Sequence, residues 1–463
     1  MQATTKIEDV SGSELSFAEE LIWQAEFNGP MALPFFDCAR SLYLALQLQG
    51  PLNQEALKHS LYTVVQRHHV LRSRFITQNG QPIRLMSPTP SFSFTAIDRQ
   101  TLPPKNPDEI VADDIKPLLE CPFVLARGPL LRAVLVSSSC HEHILAVAVH
   151  HIVFDRWSLR LLELELRQFY SACVIGTKTD AKPVPLQYQD YVRWQREQLN
   201  SERARILKKY WTDKLSGLPD LILPCDGAMG PVISARSGSS WFTISPEEVS
   251  GLIALSRRGR TTLAATMLAI FKLFLYRLSG MNDIAVGVPL SDRRRPEFEE
   301  VIGLFMNVVV VRTSIPNTMT FLDLLDRVRH GLVDACLHQD LPHGYLQRII
   351  PNRPLYKVVF NFMPPLPSAD SELAGLHAKH LPIAVELHSV ADISLLLCHE
   401  AGALLCRLVY KSDLFSETSG RNFASQIQTL IKTILHSPQN CIDTYCLEQA
   451  HLRSPVSIGR PSE

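Results

Sequence analysis

Apolar and polar positions recur along the chain with two periods, one typical of helices and one typical of strands. After Asn53, a common type of helix N-cap, apolar side chains at 57, 61, 64 and 65 share one face and predict a helix. Two apolar runs, 130–136 and 144–149, flank the polar segment SSSCHEH, which predicts two strands joined by a turn. From Trp157 the apolar residues return to helical spacing, so a helix is predicted directly after the second strand.

Helical and extended patterns continue to alternate through the rest of the chain. Helices are predicted near residues 202–215, 247–257, 263–278, 321–337 and 416–435. Strands are predicted near residues 283–288, 308–313, 357–362, 392–398 and 404–410. This mixture of strands and helices in both halves of the chain predicts an α/β fold of the mixed α+β kind.

The length of the chain predicts more than one domain. At 463 residues it exceeds what a single hydrophobic core usually organises. The best candidate boundary is the Pro-containing stretch 176–186 (GTKTDAKPVPL), which follows the helix predicted from Trp157. We therefore assign residues 1–180 to an N-terminal lobe and residues 181–455 to a C-terminal lobe. A cleft between two such lobes is a common place for an active site.

The charge balance narrows the set of partners. Lys and Arg together number 46, as do Asp and Glu, and 46% of the residues are hydrophobic, which argues against a disordered chain. Without a basic surplus, no nucleic-acid partner is expected. The longest apolar stretch, 263–278, is interrupted by Lys272 and Arg277 and is too short to span a bilayer, so no membrane partner is expected.

The cysteines and the N-terminus indicate the compartment. The first residues lack the basic start and apolar run of a signal peptide. The ten cysteines are scattered and form no CxxC pair, so we expect reduced thiols in a cytoplasmic protein. Residues 140–143 (CHEH) are of metal-ligating types, but they fall where a hairpin turn is predicted and no second ligand set has suitable spacing. No metal site is therefore predicted.

The segment 149–158 (VHHIVFDRWS) carries the most informative chemistry. An apolar strand ends at His150 and His151, where a side chain is held by the sheet and is free to face a cleft. The near-neutral pKa of histidine suits it to exchange a proton with an amine or hydroxyl at pH 7. Asp155 either orients an imidazole or holds the loop through an ion pair with a distant arginine. HxxxD alone is a loose pattern, and a strand end followed by a capped helix explains it equally well.

This segment resembles the HHxxxDG motif of the condensation domains of nonribosomal peptide synthetases, which belong to the chloramphenicol-acetyltransferase-like superfamily of HxxxD acyltransferases. Further segments resemble the other motifs of these domains and follow in the same order along almost the whole chain. They are 16–18 (SFA) with Trp23, 67–75 (RHHVLRSRF), 188–194 (YQDYVRW), 302–307 (IGLFMN), 338–342 (HQDLP), 392–395 (DISL) and 410–415 (YKSDLF). Together these matches are specific.

The resemblance implies a fold and a reaction. The fold is two chloramphenicol-acetyltransferase-like lobes in a V shape with the active site in the cleft between them. The reaction joins an acyl thioester, carried on the phosphopantetheine arm of a carrier protein, to the amine of a carrier-bound aminoacyl group. His151 is then the catalytic residue, which deprotonates the amine or stabilises the tetrahedral intermediate. His150 supports the loop, and Asp155 is structural and pairs with Arg293 in the second half.

The resemblance also implies a substrate channel beside His151. The residues expected to line it are Arg156, Trp157, Ser158, Asn307 and Ser394. Arg156 is the sharpest departure from the family, because it stands where the motif has glycine. Its guanidinium binds a phosphate or pantetheine carbonyl of the donor, restricts the channel, or turns out to solvent.

No permanently bound cofactor is expected. The thioester arrives on the phosphopantetheine arm of a carrier protein or on coenzyme A. A carrier protein and an adenylation domain, located downstream, are the expected partners of a monomeric chain. The first motif lies close to Met1, which fits a free-standing protein or the first domain of a synthetase, including a starter domain that N-acylates an amino acid.

Two other classes of function remain open. Arg156 favours a non-catalytic condensation-like module that recruits another protein, whereas His151, Asp155 and Asn307 favour an enzyme. An ester-forming HxxxD acyltransferase is the second alternative, since residues 282–284 (NDI) resemble a segment of wax ester synthases. Heterocyclisation domains carry aspartates in place of the histidine pair, and the DFGWG motif of plant alcohol acyltransferases is absent.

Overall fold

The fold is given by a computed structural model, which describes residues 12–28, 40–177, 183–226, 237–351, 354–363, 370–381, 383 and 391–445. The strands are β1 (Ser41–Gln49), β2 (Ser73–Gln78), β3 (Gln81–Met86), β4 (Ser93–Asp98), β5 (Leu131–Ser137), β6 (Glu142–His150), β7 (Ser237–Ile244), β8 (Asp283–Ser291), β9 (Met306–Ser314), β10 (Val358–Met363), β11 (Asp370–Leu373), β12 (Leu376–His380), β13 (Ile393–Glu400) and β14 (Ala403–Lys411). The helices are α1 (Phe17–Asn28), α2 (Gln54–Arg67), α3 (Pro107–Ile110), α4 (Lys116–Leu119), α5 (Arg156–Ile175), α6 (Tyr188–Gln198), α7 (Glu202–Leu215), α8 (Pro246–Arg258), α9 (Leu263–Ser279), α10 (Phe321–Leu337), α11 (His343–Ile349) and α12 (Glu417–His436).

Two six-stranded sheets organise these elements into two lobes. The first sheet has the strand order β11-β12-β1-β6-β5-β4 and the second has the order β7-β14-β13-β10-β8-β9. In the first lobe, β6 pairs antiparallel with β1 and β5. In the second lobe, β10 pairs parallel with β8 and β13, and the other pairings are antiparallel. β2 and β3 form a separate hairpin.

The first lobe is completed by a segment from the second half of the chain. The hairpin β11–β12 lies at the edge of the first sheet, where β12 pairs antiparallel with β1 from Leu46↔His380 to Gln49↔His377. The side chain of His380 meets Glu163 of α5 at 2.9 Å, which ties the hairpin to the helix layer. The chain therefore crosses from one lobe to the other and back.

The apolar run that ends at His150 is continuous because β6 is buried on both faces. Ile144, Ala146 and Ala148 belong to a core on the side of α3 and α4. The residues between them, Leu145, Val147 and Val149, belong to the core shared with α2 and α5. A strand covered on both faces carries apolar residues at successive positions instead of alternating ones.

The second lobe buries α9 along nearly its whole length against the second sheet. Lys272 lies in the middle of this helix and is fully buried. Its Nζ donates to the carbonyl oxygens of Ile284 at 2.9 Å and Val311 at 2.7 Å. Within the described ranges, no single helix is long and apolar enough to cross a membrane. The helices α8 and α9 together have the length and composition of a membrane span, but they are bent by 98° relative to each other.

The elements predicted from the hydrophobic pattern are confirmed. Asn53 caps α2 through a hydrogen bond from the Ala56 N–H. The helices predicted near 202–215 and 321–337 are present at those bounds, and the largest discrepancy is β8, which runs to Ser291 instead of ending at 288. The boundary assigned at residue 180 and the end assigned at residue 455 lie outside the described residues.

Candidate active site

The candidate catalytic segment joins the end of β6 to the start of α5. A short 3₁₀ turn, His151–Val153, follows the strand, and Asp155 then caps the helix by accepting from the Ser158 N–H at 2.7 Å. The two histidines therefore leave a buried strand just before the backbone turns into a capped helix.

The imidazole of His151 is held in one tautomer. Its Nδ1 lies 2.7 Å from the carbonyl oxygen of Phe154. A carbonyl only accepts, so Nδ1 carries the proton and Nε2 of the neutral ring keeps its lone pair. Burial lowers the pKa of His151, which keeps the ring neutral at pH 7. The residue is therefore in the form that accepts a proton through Nε2.

His150 supports the turn instead of facing the cleft. Its Nδ1 accepts from the Ile152 N–H at 3.1 Å, and its Nε2 lies 3.8 Å from a carboxylate oxygen of Glu26 in α1. The edge of the ring meets Phe123, with the two centroids 5.9 Å apart. With both nitrogens and the ring edge engaged, His150 positions the backbone on which His151 stands.

The ion pair predicted between Asp155 and Arg293 is present and joins the two lobes. Both carboxylate oxygens of Asp155 lie 3.2 Å from Nη2 of Arg293. One of these oxygens also accepts from the Phe305 N–H at 3.0 Å. The ring of His151 is oriented by another group, since its Nδ1 is bonded to the carbonyl of Phe154. Asp155 is therefore a structural residue of the junction between the lobes.

Arg293 is anchored on its own side of the junction as well. Its Nη1 donates to the carbonyl oxygens of Phe298 at 2.7 Å and Val301 at 2.5 Å. Its guanidinium lies over the ring of Phe305, 3.9 Å from the centroid. The arginine thus holds the loop 293–305 in place while it pairs with Asp155.

Ser158 and Trp157 belong to the same junction. The Ser158 hydroxyl donates to the Gly303 carbonyl at 2.9 Å and accepts from the Gly303 N–H and from Arg293, both at 3.0 Å. Since Ser158 is fully buried with its hydroxyl engaged, the expectation that it lines a channel is wrong. The indole N–H of Trp157 donates to the Glu299 carbonyl at 2.9 Å, so this side chain bridges the lobes too.

Glycine at position 303 is required by this close approach. A Cβ at Gly303 would lie 2.1 Å from the ring of Tyr188, a distance that no side chain tolerates. Because Gly303 carries no side chain, its backbone can approach the Ser158 hydroxyl and bond it through both the N–H and the carbonyl.

Asn307 is used inside the second lobe. Its Nδ2 donates to the carbonyls of Gln339 at 2.7 Å and Leu341 at 3.2 Å. Its Oδ1 accepts from the N–H groups of Val308 at 2.9 Å and His343 at 2.8 Å. With four hydrogen bonds and 7% exposure, the amide fastens the segment 339–343 to β9. The expectation that Asn307 lines the channel is therefore wrong.

Ser394 is also placed differently from the expectation. It lies on β13, opposite Val359 of β10 and Val409 of β14, and it is fully buried. Among the described residues its hydroxyl has no hydrogen-bond partner. A side chain with no solvent exposure does not line an open channel.

Arg156 reaches from one lobe to the other. It is the first residue of α5, and its Nη2 lies 3.6 Å from Sγ of Cys398 on β13. Glu400, near the end of the same strand, contributes an attractive charge to the guanidinium. Of the three arrangements considered for this residue, the one in which it turns out to solvent is therefore wrong.

Cys398 is a contact of the site that the sequence does not indicate. Its strand was predicted, but β13 and α5 are separated by more than two hundred residues, and no local pattern indicates that they meet. In the part of the chain that the structure describes, no group of three or more His, Cys, Asp or Glu side chains is arranged to hold a metal ion.

A histidine with an available Nε2 at the end of a strand, in an HHxxxD segment between two mixed α/β lobes, defines the fold and site class of the HxxxD acyltransferases. A family model narrows this class: the model for the condensation domain matches residues 40–451. The chain belongs to the condensation-domain family.

Relatives agree with that assignment. The chain is 32% identical over 437 residues to one of the linear gramicidin synthase proteins of Brevibacillus parabrevis, covering 92% of this chain and 8% of that protein. It is 30% identical over 438 residues to malpinin synthetase of Mortierella alpina, covering 93% of this chain and 6% of that protein. The chain thus spans less than a tenth of the length of these relatives.

Solved structures share the two-lobed fold. The X-domain from teicoplanin biosynthesis matches with a TM-score of 0.83 and 22% identity, covering 97% of this chain and all of that one. The first condensation domain of the calcium-dependent antibiotic synthetase, in complex with a substrate analogue, matches with a TM-score of 0.78 and 19% identity over 96% of this chain and all of that one. At these identities the likeness concerns the fold alone.

Proposed function

We propose that this chain forms an amide bond between an acyl thioester donor and the amine of a carrier-bound aminoacyl acceptor, in the synthesis of a nonribosomal peptide or lipopeptide. The observation that carries the proposal is the state of His151, a buried neutral imidazole whose Nδ1 is fixed by Phe154 and whose Nε2 keeps its lone pair. Membership of the condensation-domain family supports the same reaction.

The chemistry assigned to His151 is a single proton transfer. The acceptor nitrogen attacks the thioester carbonyl carbon and forms the C–N bond, while Nε2 of His151 accepts the proton that this nitrogen loses. The C–S bond then breaks as the tetrahedral intermediate collapses, and the departing thiolate takes up a proton. General-base help of this kind contributes ~10²–10⁴ in rate, and holding the two tethered substrates together contributes the rest.

The donor and the partners follow from the same proposal. The acyl group arrives on the phosphopantetheine arm of a carrier protein or on coenzyme A, and the acceptor arrives on a second carrier arm. A carrier protein and an adenylation domain are the partners. The relatives named above are synthetases many times longer than this chain, which supports a setting of this kind.

A second candidate is a condensation-like module that recruits another protein without catalysis. Two observations favour it: Arg156 spans the cleft to Cys398, and the X-domain from teicoplanin biosynthesis, solved in complex with a protein called OxyB, matches with a TM-score of 0.80. The tautomer of His151, which leaves Nε2 as a proton acceptor, favours the enzyme instead. An ester-forming acyltransferase uses the same base with a hydroxyl acceptor and is separated from the main proposal by the acceptor alone.

A single-turnover assay tests the proposal. The full chain is mixed with an acyl thioester donor and either an amine or a hydroxyl acceptor, and product is followed by mass spectrometry. We expect amide product from the wild type and a loss of ~10²–10⁴ in rate for His151→Ala. His59→Ala, which changes an exposed histidine of α2, serves as the matched control and keeps the wild-type rate.

The outcomes separate the three candidates. Ester without amide supports the alternative acyltransferase. No product with any donor, from a chain that has a normal thermal transition, supports the recruitment module. If His151→Ala keeps a rate close to that of His59→Ala, then His151 is neither the base nor the stabiliser of the intermediate.

A further inference from the structure

The turn that carries His151 is anchored by two residues that both face Glu26 of α1. The His151 N–H donates to the carbonyl oxygen of Arg40 at 3.0 Å, just before β1 begins. The next N–H, that of Ile152, donates to Nδ1 of His150 at 3.1 Å. The oxygen Oε1 of Glu26 lies 3.6 Å from Nε of Arg40 and 3.8 Å from Nε2 of His150. One carboxylate oxygen therefore faces both residues that fix consecutive N–H groups of the turn.

The hydrogen bonds of the two histidines assign them opposite tautomers. A backbone N–H only donates, so Nδ1 of His150, which accepts from Ile152, carries no proton. The ring is therefore neutral, and its proton lies on Nε2, the nitrogen that faces Glu26. In His151 the proton lies on Nδ1 instead, because that nitrogen is bonded to the carbonyl oxygen of Phe154. Two adjacent imidazoles in opposite tautomers need separate partners that specify them.

The charge of Glu26 favours the observed tautomer of His150 over the other one. At 3.8 Å the two atoms are too far apart for a good hydrogen bond, but the carboxylate attracts the positive end of the Nε2–H dipole. In the other tautomer, Nε2 presents a lone pair to the carboxylate and an Nδ1–H meets the Ile152 N–H, so both contacts become repulsive. The His150 ring is only 3% exposed, so water does little to screen this difference.

The helix that supplies Glu26 is itself firmly anchored. Near its start, Glu19 pairs with Nη1 of Arg84 at 2.8 Å, and neither side chain is more than 5% exposed. The Phe17 N–H donates to the side-chain oxygen of Gln195 at 3.1 Å. The carboxylate of Glu26 therefore meets the turn from a fixed element of the fold.

We infer that Glu26 is a positioning residue for the proposed reaction: its carboxylate holds the His150 ring in the Nε2–H tautomer and so fixes the backbone on which His151 stands. The inference rests on the proposed function, since it adds a residue to the machinery of that same site. Glu26 acts through His150, and the proton transfer itself remains with His151.

The tautomer of His150 tests the inference without any turnover. The full chain is prepared with ¹⁵N-labelled histidine, and the ring signals of His150 are assigned by their loss in His150→Gln. A protonated and an unprotonated ring nitrogen have well-separated ¹⁵N shifts, and exchange between tautomers averages them. We expect separated shifts in the wild type and in Glu26→Gln, whose amide oxygen still faces Nε2. In Glu26→Ala the two shifts should converge, because nothing then disfavours the other tautomer at Nε2.

Glu20→Ala is the matched control. Glu20 is another carboxylate of α1, and its ion pairs are with Arg196 and Arg348, outside the turn. We expect this variant to keep the wild-type shifts of His150. Equal convergence in Glu20→Ala and Glu26→Ala would show that any loosening of α1 has this effect, and unchanged shifts in Glu26→Ala would show that the carboxylate does not set the tautomer. Either result overturns the inference, whether or not the protein has any activity.

Turnover tests the consequence for the reaction. kcat and KM are compared in the wild type, Glu26→Ala, Glu26→Gln and Glu20→Ala with one acyl thioester and one amine acceptor. We expect kcat to fall about tenfold in Glu26→Ala with KM unchanged, because a displaced base slows the chemical step without weakening substrate binding. Glu26→Gln and Glu20→Ala should keep the wild-type kcat. A loss confined to KM, or an equal loss in Glu20→Ala, overturns the positioning role. Absence of turnover in every protein overturns the proposed function, while the ¹⁵N shifts still decide whether Glu26 sets the tautomer of His150.

Discussion

The Asp155–Arg293 pair offers the sharpest test of how the two lobes are held together. Asp155 accepts from Arg293 through both carboxylate oxygens, from the Ser158 N–H and from the Phe305 N–H. Replacing Asp155 with alanine removes all of these acceptors at once. It leaves a guanidinium that is only 8% exposed without its counter-charge.

The expected cost follows from these contacts. Removing one partner of a buried ion pair costs ~3–5 kcal/mol, because the remaining charge is left in a poorly solvated place. Loss of the helix N-cap costs about 1 kcal/mol on its own. The two effects share one side chain and do not add fully, so we expect Asp155→Ala to lower the free energy of unfolding by about 4–5 kcal/mol.

Scanning calorimetry is the suitable assay, because two lobes need not unfold in one step. With roughly 2–4 °C for each kcal/mol, the Tm of the transition is expected to fall by roughly 8–20 °C. The matched control is Asp213→Ala, which breaks the exposed Lys209–Asp213 pair on α7 and should cost less than ~1 kcal/mol.

The partner variant completes the reasoning. Arg293→Met also removes the charge pair, but it leaves Asp155 with two backbone N–H partners, so its cost should be smaller than that of Asp155→Ala. The double variant should cost less than the sum of the two by ~1–3 kcal/mol, since the second change removes the unpaired charge. A Tm for Asp155→Ala no lower than that of Asp213→Ala, or strictly additive costs, would refute the account.

Two further substitutions test buried polar groups in the second lobe. Lys272 is fully buried, and burial lowers its pKa to about 7. Below pH 7 the folded protein therefore carries the cost of a buried charge, and this cost is relieved as the pH rises toward the unfolded pKa of 10.5. Lys272→Met should raise Tm most at or below pH 7, with a gain that shrinks by pH 10, and a gain that grows with pH would contradict this expectation. Asn307→Ala removes four hydrogen bonds and should cost about 3 kcal/mol in a denaturant titration, with a smaller loss for Asn307→Asp, which keeps the two bonds accepted by Oδ1; equal losses for the two variants would contradict the assigned geometry.

Local pattern was sufficient for much of the fold. The helices α7 and α10 match their predicted bounds because each begins at a side-chain cap, Ser201 or Thr320, and continues with a strong helical period. The turn from β6 into α5 was equally readable, since an apolar run stops at His150 and a capping Asp155 follows. In each case the signal lies within a few residues of the element it predicts.

Long-range pairing was not readable in this way. The hairpin β11–β12 completes the first sheet although it lies more than three hundred residues from β1 in the chain. Nothing in the residues of β12 indicates which of two sheets it joins, because register and partner depend on the edge that the rest of the fold leaves open. A division of the chain into two consecutive lobes therefore omits this exchange.

The residues of the site divide along the same line. The motif indicated that Asp155 pairs with Arg293 because a family resemblance carries that long-range information. Ser158, Asn307 and Ser394 were expected in a channel, but each is buried, and the role of a buried polar side chain depends on partners from distant segments. Ser158 and Asn307 instead form hydrogen bonds with backbone groups of the second lobe.

The first turn of α5 explains why the departure at Arg156 is compatible with an intact site. Four consecutive residues there contact the second lobe, each with a different partner: Asp155 with Arg293, Arg156 with Cys398, Trp157 with Glu299, and Ser158 with Gly303. The contacts of Asp155, Trp157 and Ser158 are an ion pair and two hydrogen bonds to backbone carbonyls. These three contacts hold the opposite lobe near His151 without help from Arg156. The fourth contact, between the Arg156 guanidinium and the Cys398 thiol, also joins the two lobes. The contacts of Asp155, Trp157 and Ser158 therefore join the two lobes next to His151 even though the motif glycine is replaced by Arg156.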